Sequence, residues 1–258
     1  MAAILLDVDG VFHVSGEPIA GGAAAVARLR EDGHRLRFVT NNTTRPRAEL
    51  AADLRALGIV LDDEELQTTP RAAAHALAGK RVLALTMAAI VPDLEGVELV
   101  GEDAEAVLLG GADETDETGR VFSYTNLSRA FHELEGGAEL YCLHKNRWWQ
   151  TGLGPMLDAG AFVAGLEYAA EVDATVLGKP SPAYFAAALE ALDADAEMTW
   201  MVGDDIDVDI AGAQRHGMKT VLVRTGKFRP DAVEAGRVRP DAILSSIAQL
   251  PEWLEAQR

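Results

Sequence analysis

Cysteine is almost missing from this chain of 258 residues: Cys142 is the only one, which excludes an intrachain disulfide and any cysteine-based zinc site. It lies in the apolar run Glu139-Leu140-Tyr141-Cys142-Leu143, where a thiol reads as core filler rather than nucleophile. Lysine is scarce, with five against eighteen arginines, and the formal net charge is −18. That balance argues against a nucleic-acid partner, which needs a concentrated positive surface. A carboxylate-rich, lysine-poor surface suits a salt-loving host, where a Debye length of about 3 Å at 1 M salt screens self-repulsion. An acidic surface in an ordinary mesophile is the blander reading. No stretch approaches eighteen consecutive apolar residues, and the first residues carry neither a basic region nor a long apolar segment. The expectation is therefore a soluble, cytoplasmic protein with no membrane partner. Also lacking are tandem repeats, low-complexity tracts and a Gly-x-Gly-x-x-Gly after the first strand, which disfavours a Rossmann-type cofactor binder. His13, His34, His75, His132 and His216 show no metal-ligand spacing and read as surface or packing residues.

What is present begins with Ile4-Leu5-Leu6-Asp7-Val8-Asp9-Gly10. Three large apolar residues bounded by acids and a glycine predict a short buried strand running into a loop. Two carboxylates one residue apart at a strand's exit cannot both be buried and ionised without a cation or strong donors, and a hard divalent ion such as Mg2+ is the simplest partner. The chain then alternates: a helical pattern from Gly21 to Arg30, a strand Arg35 to Val39 leaving through Thr40-Asn41-Asn42, and a helix from Pro46 to Leu57. Such alternation predicts a parallel sheet, with Thr40 at the same edge as Asp7. From 72 to 177 the alternation restarts with strands at Arg81 to Leu85, Ala106 to Leu109 and Glu139 to Leu143 and a helix Ser123 to Leu134. The expected fold class is α/β, a doubly wound Rossmann-like core over 1–71 and 178–258 with an inserted α/β cap domain over 72–177. The acidic run Asp113 to Glu117 reads as a solvated loop. Beyond the insert come Gly178-Lys179-Pro180, a helix from Ala183 to Leu192, the strand Thr199 to Val202, and Gly203-Asp204-Asp205 with Asp209 four residues on.

Each of these loops has a plain structural reading. Asp-x-Asp-Gly can be a turn, Thr40-Asn41 helix-start chemistry, Gly178-Lys179 a turn with a solvated lysine, and Gly203-Asp204-Asp205 a capping cluster. Placed in order on one parallel sheet, however, they converge on one crevice and supply the parts that phosphoryl transfer needs. A phospho-accepting receiver-like domain also gathers acids, a hydroxyl and a lysine at such an edge. It has no use for an insert of about a hundred residues.

The ordered set Asp7-Val8-Asp9-Gly10, Thr40-Asn41, Lys179 and Gly203-Asp204-Asp205 resembles the four motifs of the haloacid dehalogenase-like phosphatases. The insert between the second and third motifs resembles the type IIA, NagD-like arrangement. Phe122-Ser123-Tyr124, His144 to Trp149, Gly165 to Ala169, Val176 to Pro180 and Arg224 to Phe228 are similar to the branch of that class that holds the phospholysine and phosphohistidine phosphatases. The resemblance implies Asp7 as nucleophile and Asp9 as proton donor and acceptor. It implies Mg2+ held by Asp7, the Asp9 backbone carbonyl and Asp204, with Asp205 and Asp209 either supporting the ligands or capping a helix. Thr40, Asn41 and Lys179 would hold phosphate oxygens of a small phosphorylated substrate, while His144, Lys145, Arg147 and Trp148 of the cap would select its leaving part. Trp148-Trp149 stands where a tyrosine pair is more usual, which touches substrate preference. A homodimer formed through the cap would be unsurprising by the same resemblance.

Overall fold

The computed structural model describes residues 1–14, 16–151 and 154–257, with side chains at 149–151 set aside. The chain forms two compact units: Met1–Thr40, Arg47–Gln67 and Lys179–Arg258 make the first, Asn41–Pro46 and Thr68–Gly178 the second. In chain order the first unit contributes β1 (Ala3–Asp7), α1 (Gly22–Glu31), β2 (Arg35–Val39), α2 (Arg47–Ala56) and β3 (Leu66–Gln67). The second follows with α3 (Thr69–Ala76), β4 (Arg81–Leu85), β5 (Glu98–Leu99), β6 (Ala106–Leu109), α4 (Asp116–Val121), α5 (Tyr124–Glu135) and β7 (Glu139–Cys142). It ends with the antiparallel pair β8 (Trp148–Thr151) and β9 (Gly154–Leu157), then α6 (Ala159–Ala170) and β10 (Thr175–Val176). The chain returns to the first unit with α7 (Pro182–Leu192), β11 (Thr199–Gly203), α8 (Ala211–Arg215), β12 (Lys219–Val223) and β13 (Ala242–Leu244).

In the first unit the sheet order is β13-β12-β11-β1-β2-β3, all parallel. β1 is central because Ile4, Leu5 and Leu6 are fully buried, which an apolar run achieves only with both sheet faces covered. Ile4 and Leu6 pack with Val26, Leu29, Phe38, Leu54 and Leu250 in one continuous core. Strand order reverses direction at β1: the chain moves outward through β2 and β3, then returns to the other side as β11. Ligands of such sheets bind outside the carboxyl ends of the strands at that reversal.

The second unit carries its own parallel sheet, β10-β7-β6-β4-β5, and its own core built around Val107, Leu109, Leu140, Cys142, Val163 and Leu166. Phe122 and Phe162 stack with centroids 4.3 Å apart. Ser123 caps α5 by accepting from the Asn126 N–H, and Asp158 caps α6 by accepting from Ala159. Cys142 is fully buried, and burial pushes its thiol up to about 12, far from a reactive thiolate.

Two local expectations change. The acidic run at 113–117 is not a plain loop. Thr115 caps α4, and Asp113 Oδ1 accepts from Thr115 N and Thr118 Oγ1, each at 2.9 Å. Acids at a helix start complement its dipole, so the run is built structure. The β8–β9 pair was not expected from sequence; Gly152 and Leu153, between its strands, lie outside the described residues.

Candidate active site

The first strand delivers Asp7 to the carboxyl edge of the sheet, and three side chains from distant parts of the chain meet it there. Lys179 Nζ lies 2.6 Å from Asp7 Oδ1 and 2.8 Å from Asp209 Oδ1. Asp7, Asp204 and Asp209 each place a carboxylate oxygen within 4.8 Å of the others. All four residues are buried, Asp7 at 6 %, Lys179 at 5 %, Asp204 at 2 % and Asp209 at 1 % exposure. Three carboxylates therefore share one ammonium.

The imbalance bears on the acidity of each member of the cluster. Burial raises the Asp7 pKa well above the usual carboxylate range, Asp209 adds to the rise, and Lys179 opposes it. Burial would lower Lys179, but Asp209 and Asp7 outweigh it and hold the ammonium well above its usual value. Asp204 is pushed up to about 6, chiefly by burial, against the Lys227 N–H that donates to it. Hard oxygen donors in negative excess, buried at one point, are the donor set that suits a divalent cation such as Mg2+.

Local structure explains how each acid arrives. Asp204 leaves β11 and is enclosed by two glycines, since a Cβ added at Gly10 or at Gly226 would overlap its carboxylate. Its Oδ2 accepts from Lys227 N at 2.6 Å, and Thr225 Oγ1 donates to the Gly10 carbonyl, so the loop after β12 is tied to the loop after β1. Asp205 caps the π-helical turn Ile206–Ile210, its Oδ1 accepting from Asp207 N at 3.0 Å and Val208 N at 3.1 Å. Of the two readings open for Asp205, capping is the one its bonds express. The same turn swings Asp209 back, so that Oδ1 meets Lys179 and Oδ2 accepts from Asp205 N at 3.2 Å. Both Asp209 oxygens are thereby engaged.

Asp9 lies outside the buried cluster: its side chain is 58 % exposed and its Oδ2 accepts from Thr40 Oγ1 at 3.1 Å. Thr40 follows β2 and belongs with these residues, whereas Asn41 groups with the second unit, where its Oδ1 accepts from Thr69 Oγ1 at 3.4 Å. Among the residues expected in the second unit, His144 is buried, with Nε2 3.5 Å from Asp158 Oδ1, and burial lowers its pKa. Asn146 N donates to the other ring nitrogen at 3.3 Å, so the imidazole fixes the start of the 144–148 segment. Lys145 is paired with Glu167 at 2.6 Å, while Arg147 and Trp148 are exposed. The side chain of Trp149 lies outside the described residues.

Three neighbours carry roles in the site that the sequence reading did not give them, although Arg224 to Phe228 is part of the family resemblance. The Thr225 to Lys227 loop leaves β12 at the sheet edge that carries Asp204, a position that could have flagged it. His13, read as a surface or packing residue, instead faces Asp9, with Nε2 3.8 Å from Oδ1. Tyr184, fully buried on α7, accepts from Thr40 N at 2.9 Å and has Thr40 O and Gln67 O within 2.9 and 2.8 Å. Its hydroxyl clamps the Thr40 peptide across 144 residues of chain. Tyr184→Phe should lower stability by about 1 kcal/mol, a Tm shift of about 2–4 °C. In a steady-state assay kcat/KM should fall more than kcat; an unchanged KM would show that Thr40 needs no such clamp.

Sequence comparison bears on the same residues. A family profile described as haloacid dehalogenase-like hydrolase matches residues 4–100, and one described as HAD-hydrolase-like matches residues 176–250. Over 238 residues the chain is 41 % identical to the phospholysine phosphohistidine inorganic pyrophosphate phosphatase of Xenopus laevis, covering 88 % of this chain and 85 % of that protein. The chain belongs to the haloacid dehalogenase-like hydrolases. Among solved structures it is similar to a p-nitrophenyl phosphatase from Archaeoglobus fulgidus, with a TM-score of 0.86, 28 % identity and 98 % of each chain covered. It is also similar to a glycerol phosphate phosphatase from Mycobacterium tuberculosis in complex with magnesium, with a TM-score of 0.82, 30 % identity, and 96 % of this chain and 76 % of that one covered. As a member of this family the protein is an enzyme, a phosphatase. No helix among its described residues is long and apolar enough to cross a membrane.

Proposed function

We propose that this phosphatase is Mg2+-dependent and hydrolyses small phosphorylated compounds through an aspartyl-phosphate at Asp7. The observation that carries the reading is the convergence of Asp7, Asp204, Asp209 and Lys179, buried with an excess of negative charge. Asp7 and Asp204 would hold Mg2+ together with the Asp9 backbone carbonyl, and Asp209 supports Lys179 from behind, consistent with both its oxygens being engaged. When bound, the ion supplies positive charge that offsets repulsion between the phosphate and the attacking carboxylate.

The protein's own groups then divide the work. An Asp7 oxygen attacks phosphorus and the bond to the leaving oxygen breaks; Asp9 donates a proton to that oxygen. Water next attacks phosphorus, Asp9 takes its proton, and the Asp7 carboxylate is released. The Thr40 hydroxyl and the Lys179 ammonium, both buried and already held in place by their neighbours, would hold phosphate oxygens. For Lys179 this means moving from Asp7 toward substrate, a short excursion for an ammonium that already bridges two carboxylates. Asn41 is proposed to help hold phosphate. The second unit is proposed as the cap domain, with Arg147 and Trp148 as its exposed selective side chains and His144 and Lys145 shaping the segment that bears them.

Asp204 provides the test. Because its pKa stands at about 6, protons compete with metal as pH falls through that value, and the Mg2+ concentration giving half-maximal rate should rise below pH 6. Asp204→Asn should raise that concentration at least about tenfold at pH 7, in line with losses seen when ligands or their supports are removed. A metal titration unchanged from the parent enzyme would reject Asp204 as a ligand.

A further inference from the structure

His13 lies beside Asp9 because the backbone is built to bring it there. Gly10 takes φ +81°, a conformation open to glycine and strained for other residues, and its N–H donates to the His13 carbonyl at 2.8 Å. Asp9 and His13 form an isolated bridge, and His13 then starts a two-residue strand paired with Glu17–Pro18. The ring follows the backbone: Nε2 stands 3.8 Å from Asp9 Oδ1.

The other ring nitrogen decides which way the imidazole donates. Nδ1 is buried without a hydrogen-bond partner. An orphaned N–H is the rarer and costlier defect than an orphaned lone pair, so the ring proton belongs on Nε2 and the N–H points at the carboxyl group. Asp9 therefore accepts from Thr40 Oγ1 on Oδ2 and has the His13 Nε2–H facing Oδ1 at 3.8 Å, a contact that a small movement of the exposed carboxyl group closes into a hydrogen bond. When the Thr40 hydroxyl turns to a substrate phosphate, Oδ2 is freed for the leaving oxygen and His13 alone of this pair retains the carboxyl group.

We propose that His13 is a positioning residue for proton transfer by Asp9, and that it sets how poor a leaving group the enzyme can expel. The inference rests on the reading of Asp9 as proton donor. In the step concerned the Asp7–phosphorus bond forms, the bond from phosphorus to the leaving oxygen breaks, and the Asp9 Oδ2 proton passes to that oxygen. An alkoxide needs that proton, whereas p-nitrophenolate leaves without it. His13 thus governs reach toward alkyl phosphates and leaves activated aryl phosphates little affected.

The test compares kcat/KM for glycerol 1-phosphate and for p-nitrophenyl phosphate in the parent enzyme, Asp9→Asn, His13→Ala and His13→Gln, at saturating Mg2+. Asp9→Asn should lose far more on the alkyl ester. His13→Ala should lose about tenfold more on the alkyl than on the aryl ester, a part of the roughly 100-fold or greater value of a placed acid. His13→Gln, whose amide N–H reaches where Nε2 stood, should restore most of the difference. If Asp9→Asn loses equally on both substrates, the proton-donor reading fails. If Asp9→Asn discriminates but His13→Ala does not, the role of His13 fails alone.

Discussion

Asp7→Asn should cut turnover by at least about 10⁴-fold while leaving the fold intact, the scale of loss when a nucleophile is removed. The amide matches the carboxyl in shape, so β1 and its register with β2 and β11 are untouched. It also removes one acid from a cluster in which three carboxylates share one ammonium, leaving the Lys179–Asp209 pair at 2.8 Å. An amide also relieves the repulsion among three buried carboxylates that a single ammonium does not balance. Thermal unfolding without metal should thus show a Tm equal to or above that of the parent enzyme. A lower Tm together with lost activity would make the loss structural and would leave Asp7 without evidence as nucleophile.

Lys179→Met should have the opposite effect on stability. The thioether keeps much of the apolar stem and removes the charge, so Asp7, Asp204 and Asp209 remain buried with no cation. Removing one partner of a buried ion pair costs about 3–5 kcal/mol, because the remaining charge is uncompensated. Two additions should recover part of this. Saturating Mg2+ would contribute about 2.7 kcal/mol at a hundredfold excess over Kd. Lower pH should also help: a carboxyl whose folded pKa lies above its unfolded value binds more protons when folded, so stability rises as pH falls through the folded pKa. Activity should be lost in every condition, since neither addition replaces the donor to phosphate. Denaturant unfolding at two pH values, with and without Mg2+, checks the pattern; a variant as stable as the parent enzyme without metal would show that Lys179 carries no structural charge burden.

Much of the first unit was legible because apolar runs and polar exits coincide. Ala3–Asp7 is buried along its whole length, as a continuous apolar segment ending in acids leads one to expect, Thr199–Gly203 nearly repeats the pattern on one side, and on the other Arg35–Val39 buries Leu36, Phe38 and Val39 and leaves through polar residues. Once strand order is parallel, their exits must share an edge, and Asp7, Thr40 and Asp204 stand there with Lys179. What could not be read depends on contacts that carry no local signal. Tyr184 lies in an alanine-rich helix, and only the fold reveals that its hydroxyl holds Thr40. His13 lacks ligand spacing, yet a turn of five residues sets it against Asp9. The π-helical turn after Asp205 resembles an ordinary helix start in sequence, although it is what turns Asp209 toward Lys179. In the second unit the three central strands and the helix between them were readable, while His144, expected to help select the leaving part of the substrate, is buried against Asp158.

The central claim is that a phosphoryl group passes through the side chain of Asp7, and trapping it there is the most direct measurement. The enzyme is mixed with Mg2+ and excess p-nitrophenyl phosphate, quenched in acid within one turnover, and reduced with borohydride, which converts an acyl phosphate of aspartate to homoserine. Peptide mass spectrometry should then find homoserine at position 7 and at no other aspartate, and none when substrate is omitted. Turnover without homoserine at position 7, or homoserine at Asp9 or Asp204 instead, would contradict the account.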